Sequence, residues 1–211
     1  MFTNNYARIQ ALEVQNKDRV CVHPVEVNLV HFFFFRIMIK VKNRYCAIDK
    51  VKNIFEKART SSWGLFLLNQ AFFWKLPFNR PHGIRIVSVD ETGLTAMLPF
   101  RRNNLNHLGT LHACALATLA EFTAGTELWR RLEQKGFRLV LQSLHVTYTA
   151  KATEKVYARF GDTLDQNTIQ ALLRQLKEQQ KATFEAQVVL QTKDGKELAI
   201  GTSQWYLTLR P

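Results

Sequence analysis

Apolar positions along this chain fall into segments of two different periods. Ile48, Val51, Ile54, Phe55 and Ala58 recur at helical spacing. A second apolar helix is predicted over residues 63–76, ending at Pro77. Residues 84–89 and 94–98 then read as strands flanking the turn 90–93, a hairpin. After a loop over 99–108 that is rich in Arg and Asn, a long helix is predicted from about 111 to 134. Gly136 stands at its expected stop. Residues 137–152 and 155–164 read as two more strands. Asp165 or Asn167 can cap a short amphipathic helix with Ile169, Leu172, Leu173 and Leu176 inward. Residues 183–192 and 197–209 are strands joined by the turn Lys193-Asp194-Gly195-Lys196. The four later strands are expected to be neighbours in an antiparallel sheet, so the class is α+β rather than alternating βαβ.

Residues 1–47 break this regularity. They hold no Gly, one Pro (Pro24) and no sustained period. They are expected to be an N-terminal extension to a domain over 48–211. Either Met38 is the true start, or the segment is an arm that packs on the domain. The helix over 63–76 carries Trp63, Phe66, Leu67, Phe73 and Trp74 on one face. That face reads as a membrane-surface or acyl-chain cover, or as a face packed on a sheet, and the last is favoured.

The long helix carries the chemistry. From Leu111 to Gly125 nearly every position is apolar or small, so burial on all sides is expected. Its apolar part is too short for a bilayer. A curved antiparallel sheet wrapped around the helix suits this pattern. Glu121 is the only charge between Arg102 and Glu127. An unpartnered carboxylate in apolar surroundings is costly, and general-base chemistry uses such perturbed acids. A functional Glu121 is therefore placed ahead of one that reaches the helix edge or bonds a neighbour.

Just before the helix, Gly109 allows a tight backbone and Thr110 can cap the first turn. The first-turn amides would then be free for an anion or a developing oxyanion. A histidine such as His112 is more often hydrogen-bonded structurally than catalytic, and His107 carries less weight still. Cys114 sits two residues from His112, points away from it, and reads as a buried core thiol rather than a nucleophile. His112 and Glu121 are nine residues apart, about half a revolution and roughly 13 Å along the axis. One helix cannot bring both to one reacting carbonyl. If they act together, one comes from another subunit, which predicts a homodimer with its site at the interface.

The pattern Asn106-x-x-Gly109-Thr110-x-His112-x8-Glu121 resembles the hotdog-fold acyl-CoA thioesterases, in the PaaI-type branch and its uncharacterised relatives. The resemblance covers roughly residues 48–211. Residues 141–148 resemble that family's strand after the central helix. It implies a hotdog fold, in which a curved antiparallel sheet wraps a long buried central helix, here with an N-terminal helical extension. It implies an acyl-CoA or acyl-carrier thioester as substrate, with Glu121 as general base or nucleophile. Asn106 and His112 would position the thioester carbonyl, and the Ala113 N–H would polarise it. Two departures stand out. Ala113-Cys114 replaces the usual Gly-Gly, and Glu121 replaces the commoner Asp. Either change suits a narrower substrate range or a member that binds without turnover.

Charge adds one constraint. The chain has 29 Lys and Arg against 17 Asp and Glu, a net +12, and residues 1–60 and 61–211 each carry +6. A basic surface favours anionic partners, whether nucleic acid, anionic lipid or a phosphorylated cofactor, and a phosphate-bearing substrate explains the sign as well. Arg101, Arg102 and Lys151 are candidates for the phosphates of a CoA moiety, or are simply solvated. No nucleic-acid recognition pattern, Walker loop, GxGxxG, GxSxG or HExxH is present, so neither a cofactor nor a nucleic-acid partner is expected. Asp162, Asp165 and Glu185 have no matching ligand set, so no metal is expected. A dehydratase on the same fold would need a histidine in an HFP-type context, which is absent. Three scattered cysteines, Cys21, Cys46 and Cys114, form no CxxC pair and point to the cytoplasm, and no run is long enough for integral membrane association. The leading expectation is a thioesterase dimer or dimer of dimers. The alternative is a non-catalytic acyl-ligand binding protein.

Overall fold

The computed structural model describes residues 53–132 and 137–209. The expected extension over 1–47, the helix positions Ile48 and Val51, and the stop at Gly136 lie outside the described residues. Helical residues 53–60 lead into α1, Ser62–Lys75. Ser61 separates them, its hydroxyl accepting from the amides of Trp63 and Gly64. Gly64 is required here, because a Cβ would sit 2.3 Å from the Lys57 carbonyl.

The chain continues as β1 (Arg85–Val89), β2 (Leu94–Leu98), α2 (Ala113–Arg131), β3 (Phe137–Tyr148), β4 (Val156–Phe160), α3 (Gln166–Gln179), β5 (Lys181–Gln191) and β6 (Glu197–Leu209). The β1–β2 turn is built on Asp90. Its Oδ1 accepts from the amides of Thr92 and Gly93 and from the Thr92 hydroxyl, each at 2.8 Å. The Arg159 guanidinium beside it holds the Asp90 carboxyl well below the usual carboxylate range. Asp165 caps α3, accepting from the Thr168 amide at 2.7 Å. Ile169, Leu172 and Leu176 turn inward from that helix against β5.

The six strands form one antiparallel sheet in the order β1-β2-β4-β5-β6-β3. This corrects one expectation, since β3 and β4 are not neighbours. Strand length explains the arrangement. The 12-residue β3 and the 11-residue β5 each pair with the 13-residue β6 along nearly their whole length. The five-residue strands β1, β2 and β4 pair together. Matching long with long satisfies the most backbone hydrogen bonds.

The sheet wraps α2, and the core lies between them. Leu116, Leu119, Ala120 and Leu128 of α2 meet Ala96, Ala158, Val188 and Ala199 of the sheet. Burial such as that of Leu119 contributes on the order of 2–5 kcal/mol by the cost of truncating it. Small residues set the closeness. A Cβ on Gly201 would lie 2.7 Å from that of Ala120, and one on Gly125 would lie 2.5 Å from the Trp205 ring.

The helix is not covered on every side, however. Cys114 is exposed, and Ala117, Thr118, Glu121 and Gly125 are only half-buried. They recur at i, i+3, i+4, i+7 and i+11, which is one stripe. Cys114 is thus a free exposed thiol, not a core residue. The sheet of one chain curves around the rest of the helix and leaves that stripe open.

Candidate functional site

The loop before α2 is fastened from within. The Asn106 Oδ1 accepts from the amides of Leu108 (2.9 Å) and Thr110 (3.2 Å), and its Nδ2 donates to the Thr110 hydroxyl (2.9 Å). Gly109 stands in the left-handed region at φ 73°, with open space where a Cβ would be. Asn106, Gly109 and Thr110 therefore build the loop. One hydrogen of the Asn106 amide remains for another acceptor.

The cap of α2 is His112, not Thr110. Its Nδ1 accepts from the Cys114 amide at 3.1 Å, so the ring proton sits on Nε2 in this geometry. Thr110 cannot cap because its hydroxyl faces Asn106 and the chain is still extended at Leu111, whose amide donates to the Ala152 carbonyl. The His112 amide donates to the Asn104 carbonyl, and the one after it, Ala113 N–H, has no hydrogen-bond partner among the described residues. Its carbonyl accepts from the Tyr148 hydroxyl at 2.9 Å. Burial and the neighbouring Cys114 push the Tyr148 phenol up. The first turn of α2 thus presents a free amide at the positive end of a 19-residue helix.

That amide borders a cavity of about 350 Å³ lined by Asn106, Thr110, Ala113, Tyr148 and Lys151, among others. Lys151 is exposed on its rim. Of the residues singled out from the sequence, the cavity brings together these four: Asn106, Thr110, Ala113 and Lys151. It does not include His112, Gly109, Arg101, Arg102 or Glu121. Arg101 is spent elsewhere. Its guanidinium donates to the carbonyls of Arg80 and Pro81 and occupies the place of a Cβ on Gly83. Arg102 is exposed at the start of a short 3-10 turn.

Glu121 lies eight residues along α2 from Ala113, about 12 Å by helix geometry. It is half-buried on the open stripe and has no hydrogen-bond or ion-pair partner among the described residues. Burial without a partner raises its carboxyl above the ordinary value of 4.5. Its neighbour Phe122 turns inward and lines a second cavity of about 300 Å³, between α1 and β1, with Asn69, Phe72, Phe73 and Arg85.

Two residues were not singled out from the sequence. Asn104 is buried beneath the loop. Its Nδ2 donates to the carbonyls of His82 and Pro99, its Oδ1 meets the His82 Nδ1, and its backbone carbonyl accepts from the His112 amide. Nothing in the sequence Asn103-Asn104-Leu105-Asn106 tells which asparagine is buried. Glu127 is fully buried and clamped by Arg130 and Arg131. The signal for it was available, as Glu with Arg at i+3 and i+4 is a helix ion-pair pattern. Among the described residues, no three His, Cys, Asp or Glu side chains gather as metal ligands.

An antiparallel sheet curved around a long central helix is the hotdog fold. The chain belongs to the family described as Domain of unknown function (DUF4442), whose model matches residues 64–207. No curated protein matches the sequence. Among solved structures, it is similar to a Pseudomonas aeruginosa protein of unknown function described as a probable thioesterase. That match has 22% identity and a TM-score of 0.63, and covers 68% of this chain and 95% of that one. A protein of unknown function from Chlorobaculum tepidum matches at 16% identity and TM-score 0.62, covering 73% and 99%. A Haemophilus influenzae thioesterase matches at 17% and 0.53, covering 72% and 95%. At these identities the likeness is one of fold.

Proposed function

We propose that this protein hydrolyses an acyl thioester, of CoA or of an acyl carrier, in a site completed by a second copy of the chain. The observation that carries the proposal is Glu121, a half-buried and unpartnered carboxylate on the one open stripe of α2. Its raised pKa makes it a stronger base toward water than an ordinary carboxylate. The similarity of fold to proteins described as thioesterases supports the same reading.

In this mechanism the Ala113 N–H and the positive end of α2 receive the thioester oxygen as charge develops on it. Glu121 takes a proton from water, whose oxygen attacks the acyl carbon. The C–S bond breaks, and the leaving thiolate takes that proton back from Glu121. In the nucleophilic variant, Glu121 itself attacks, the C–S bond breaks as the anhydride forms, and water opens the anhydride, its proton going to the thiolate. Asn106, through its remaining amide hydrogen, and His112, through Nε2, are the candidates to position the carbonyl. Lys151 at the cavity rim suits the phosphates of the carrier, and Arg102 is free to join it. Arg101, held in its turn, contributes charge from a distance.

Two features support the homodimer. Some 12 Å along one helix separates Ala113 from Glu121, too far for one carbonyl. In addition, the outer edge of the 12-residue β3 is unpaired among the described residues, an edge that a second copy can extend. A cytoplasmic setting suits the free Cys114 thiol.

The test is thiol release from short, medium, long and aromatic acyl-CoAs, wild type beside Glu121→Ala. The expected loss in the variant is about 10²–10⁴-fold. Full activity in Glu121→Ala overturns the assignment. A second reading, a binding protein without turnover, is favoured by one observation: the Asn106 side chain is largely committed to its own loop. It predicts acyl-CoA protection against melting with no thiol released.

A further inference from the structure

The orientation of α1 is fixed by Asn69. Its Oδ1 accepts from the Ile86 amide, and its Nδ2 donates to the carbonyls of Ile86 and Leu65, all at 2.8–2.9 Å. This side chain ties the helix to β1 and turns Gly64 and Leu68 inward. Apart from Asn69, the helix has few polar positions: Ser62, Gln70 and Lys75. Trp63, Phe66 and Phe73 are left facing outward, and Leu76 and Phe78 extend the apolar surface past the helix end. Trp63 is 62% exposed and Phe78 70% exposed, far more than isolated core-facing aromatics would be. The favoured expectation, that this aromatic face packs on a sheet, is therefore corrected: the helix packs through its opposite side.

Charge identifies what such a face fits. From Lys57 to Val89 the chain contains no Asp or Glu, yet it carries Lys57, Arg59, Lys75, Arg80 and Arg85. Arg59 is paired with Glu56 and Glu91. Lys75 and Arg85 are exposed. Arg80 donates to the carbonyls of Phe73 and Trp74 and lies over both rings, at 5.2 and 5.0 Å from their centres. It thereby holds a positive charge among the aromatics.

We propose that the outer face of α1, with the Leu76–Arg80 turn, docks on an anionic lipid bilayer. A Trp and Phe surface bordered by Lys and Arg, carried on a stretch of chain with no acids, is what an interfacial helix presents to headgroups and the acyl boundary. Fourteen residues span about 21 Å, short of the roughly 30 Å hydrocarbon core, so the helix lies on the membrane. Consistently, no helix among the described residues is long and apolar enough to cross one. Phe66 and Phe73 also line the 300 Å³ cavity, so docking sets the cavity mouth at the lipid boundary.

The test is co-sedimentation of the full chain with vesicles of phosphatidylcholine alone and of phosphatidylcholine with phosphatidylglycerol. Binding is expected on the anionic vesicles and is weakened by added salt. The triple variant Trp63→Ser, Phe66→Ser, Phe78→Ser and the pair Lys75→Glu, Arg85→Glu each lower the affinity about tenfold or more, with unchanged melting by circular dichroism. Absence of wild-type binding, or binding that survives the triple variant, overturns the proposal. So does an oligomer that the triple variant dissociates without any vesicle binding, which assigns the face to a second copy. Glu121→Ala is expected to sediment as wild type, so this inference and the thioesterase reading fail separately.

Discussion

Two acids on α2 have opposite circumstances. Glu127 is fully buried, yet it accepts three N–H bonds: from Arg130 Nε (2.7 Å), Arg130 Nη2 (2.6 Å) and Arg131 Nε (2.8 Å). The same guanidinium groups donate onward to the carbonyls of Asp90 and Glu91. They thereby tie the end of the helix to the β1–β2 turn. Glu121, six residues earlier, is less buried and has no partner among the described residues. Depth alone would rank Glu127 as the anomaly. The useful marker of a reactive carboxylate is burial without compensation, because burial with no facing cation raises its affinity for a proton. The C-terminal half of α2 spends its acid on holding the fold, and the N-terminal half leaves one available.

The largest effect that sharpens this contrast is on stability. Glu127→Ala leaves two partly buried guanidinium groups facing an empty site, and it releases the β1–β2 turn. Breaking a buried pair in this way costs about 3–5 kcal/mol, to be read by chemical denaturation of wild type and variant. A loss below about 1 kcal/mol would mean that water replaces the carboxylate freely, and that the two acids are alike after all.

Glu121→Gln is expected to act in the other direction and to be smaller. Because burial raises the folded-state pKa of Glu121 above 4.5, the native protein binds more protons than the unfolded chain in the interval above that value. Stability from this group is therefore fully present below the ordinary carboxylate pKa and is lost as pH rises from there through the raised folded-state pKa. Gln has no proton to lose. The two proteins should be closest in stability below about pH 4, with the variant becoming the more stable as pH rises. Denaturation of both across pH isolates this one group, since the other titrations cancel in the difference. A variant less stable than wild type at neutral pH would reveal a hidden partner for Glu121.

Much of this was legible in the sequence where local chemistry decides. The Asp90 turn, the Asp165 cap and the inward face of α3 all follow from residues within a few positions of one another. What was not legible depends on distant parts of the chain. The β3–β6 pairing is a matter of matching strand lengths sixty residues apart. Thr110 reads as a cap until Asn106 claims its hydroxyl, and His112 then takes the role. Cys114 looks like core because its neighbours are apolar, but the sheet of one chain leaves its stripe uncovered. The candidate base Glu121 was visible because it is the lone charge in a long apolar run. Glu127 was passed over although Arg130 and Arg131 stand at the i+3 and i+4 positions that pair with it.

The smallest expected effect concerns the free amide at the other end of the comparison. The Tyr148 hydroxyl donates to the Ala113 carbonyl and so ties the end of β3 to the first turn of α2. Tyr148 is partly exposed, so in Tyr148→Phe water can take the vacated acceptor, and the stability loss should stay within about 1 kcal/mol. Catalysis should be more sensitive than stability, because the Ala113 peptide is the group expected to meet the thioester oxygen, and small displacements of such a donor slow reaction. Thiol release is expected to fall by less than about tenfold, with the fall in kcat rather than KM. If kcat is unchanged while stability drops, the Ala113 amide is only the unpaired end of a helix. The chemistry then belongs to the open stripe around Glu121.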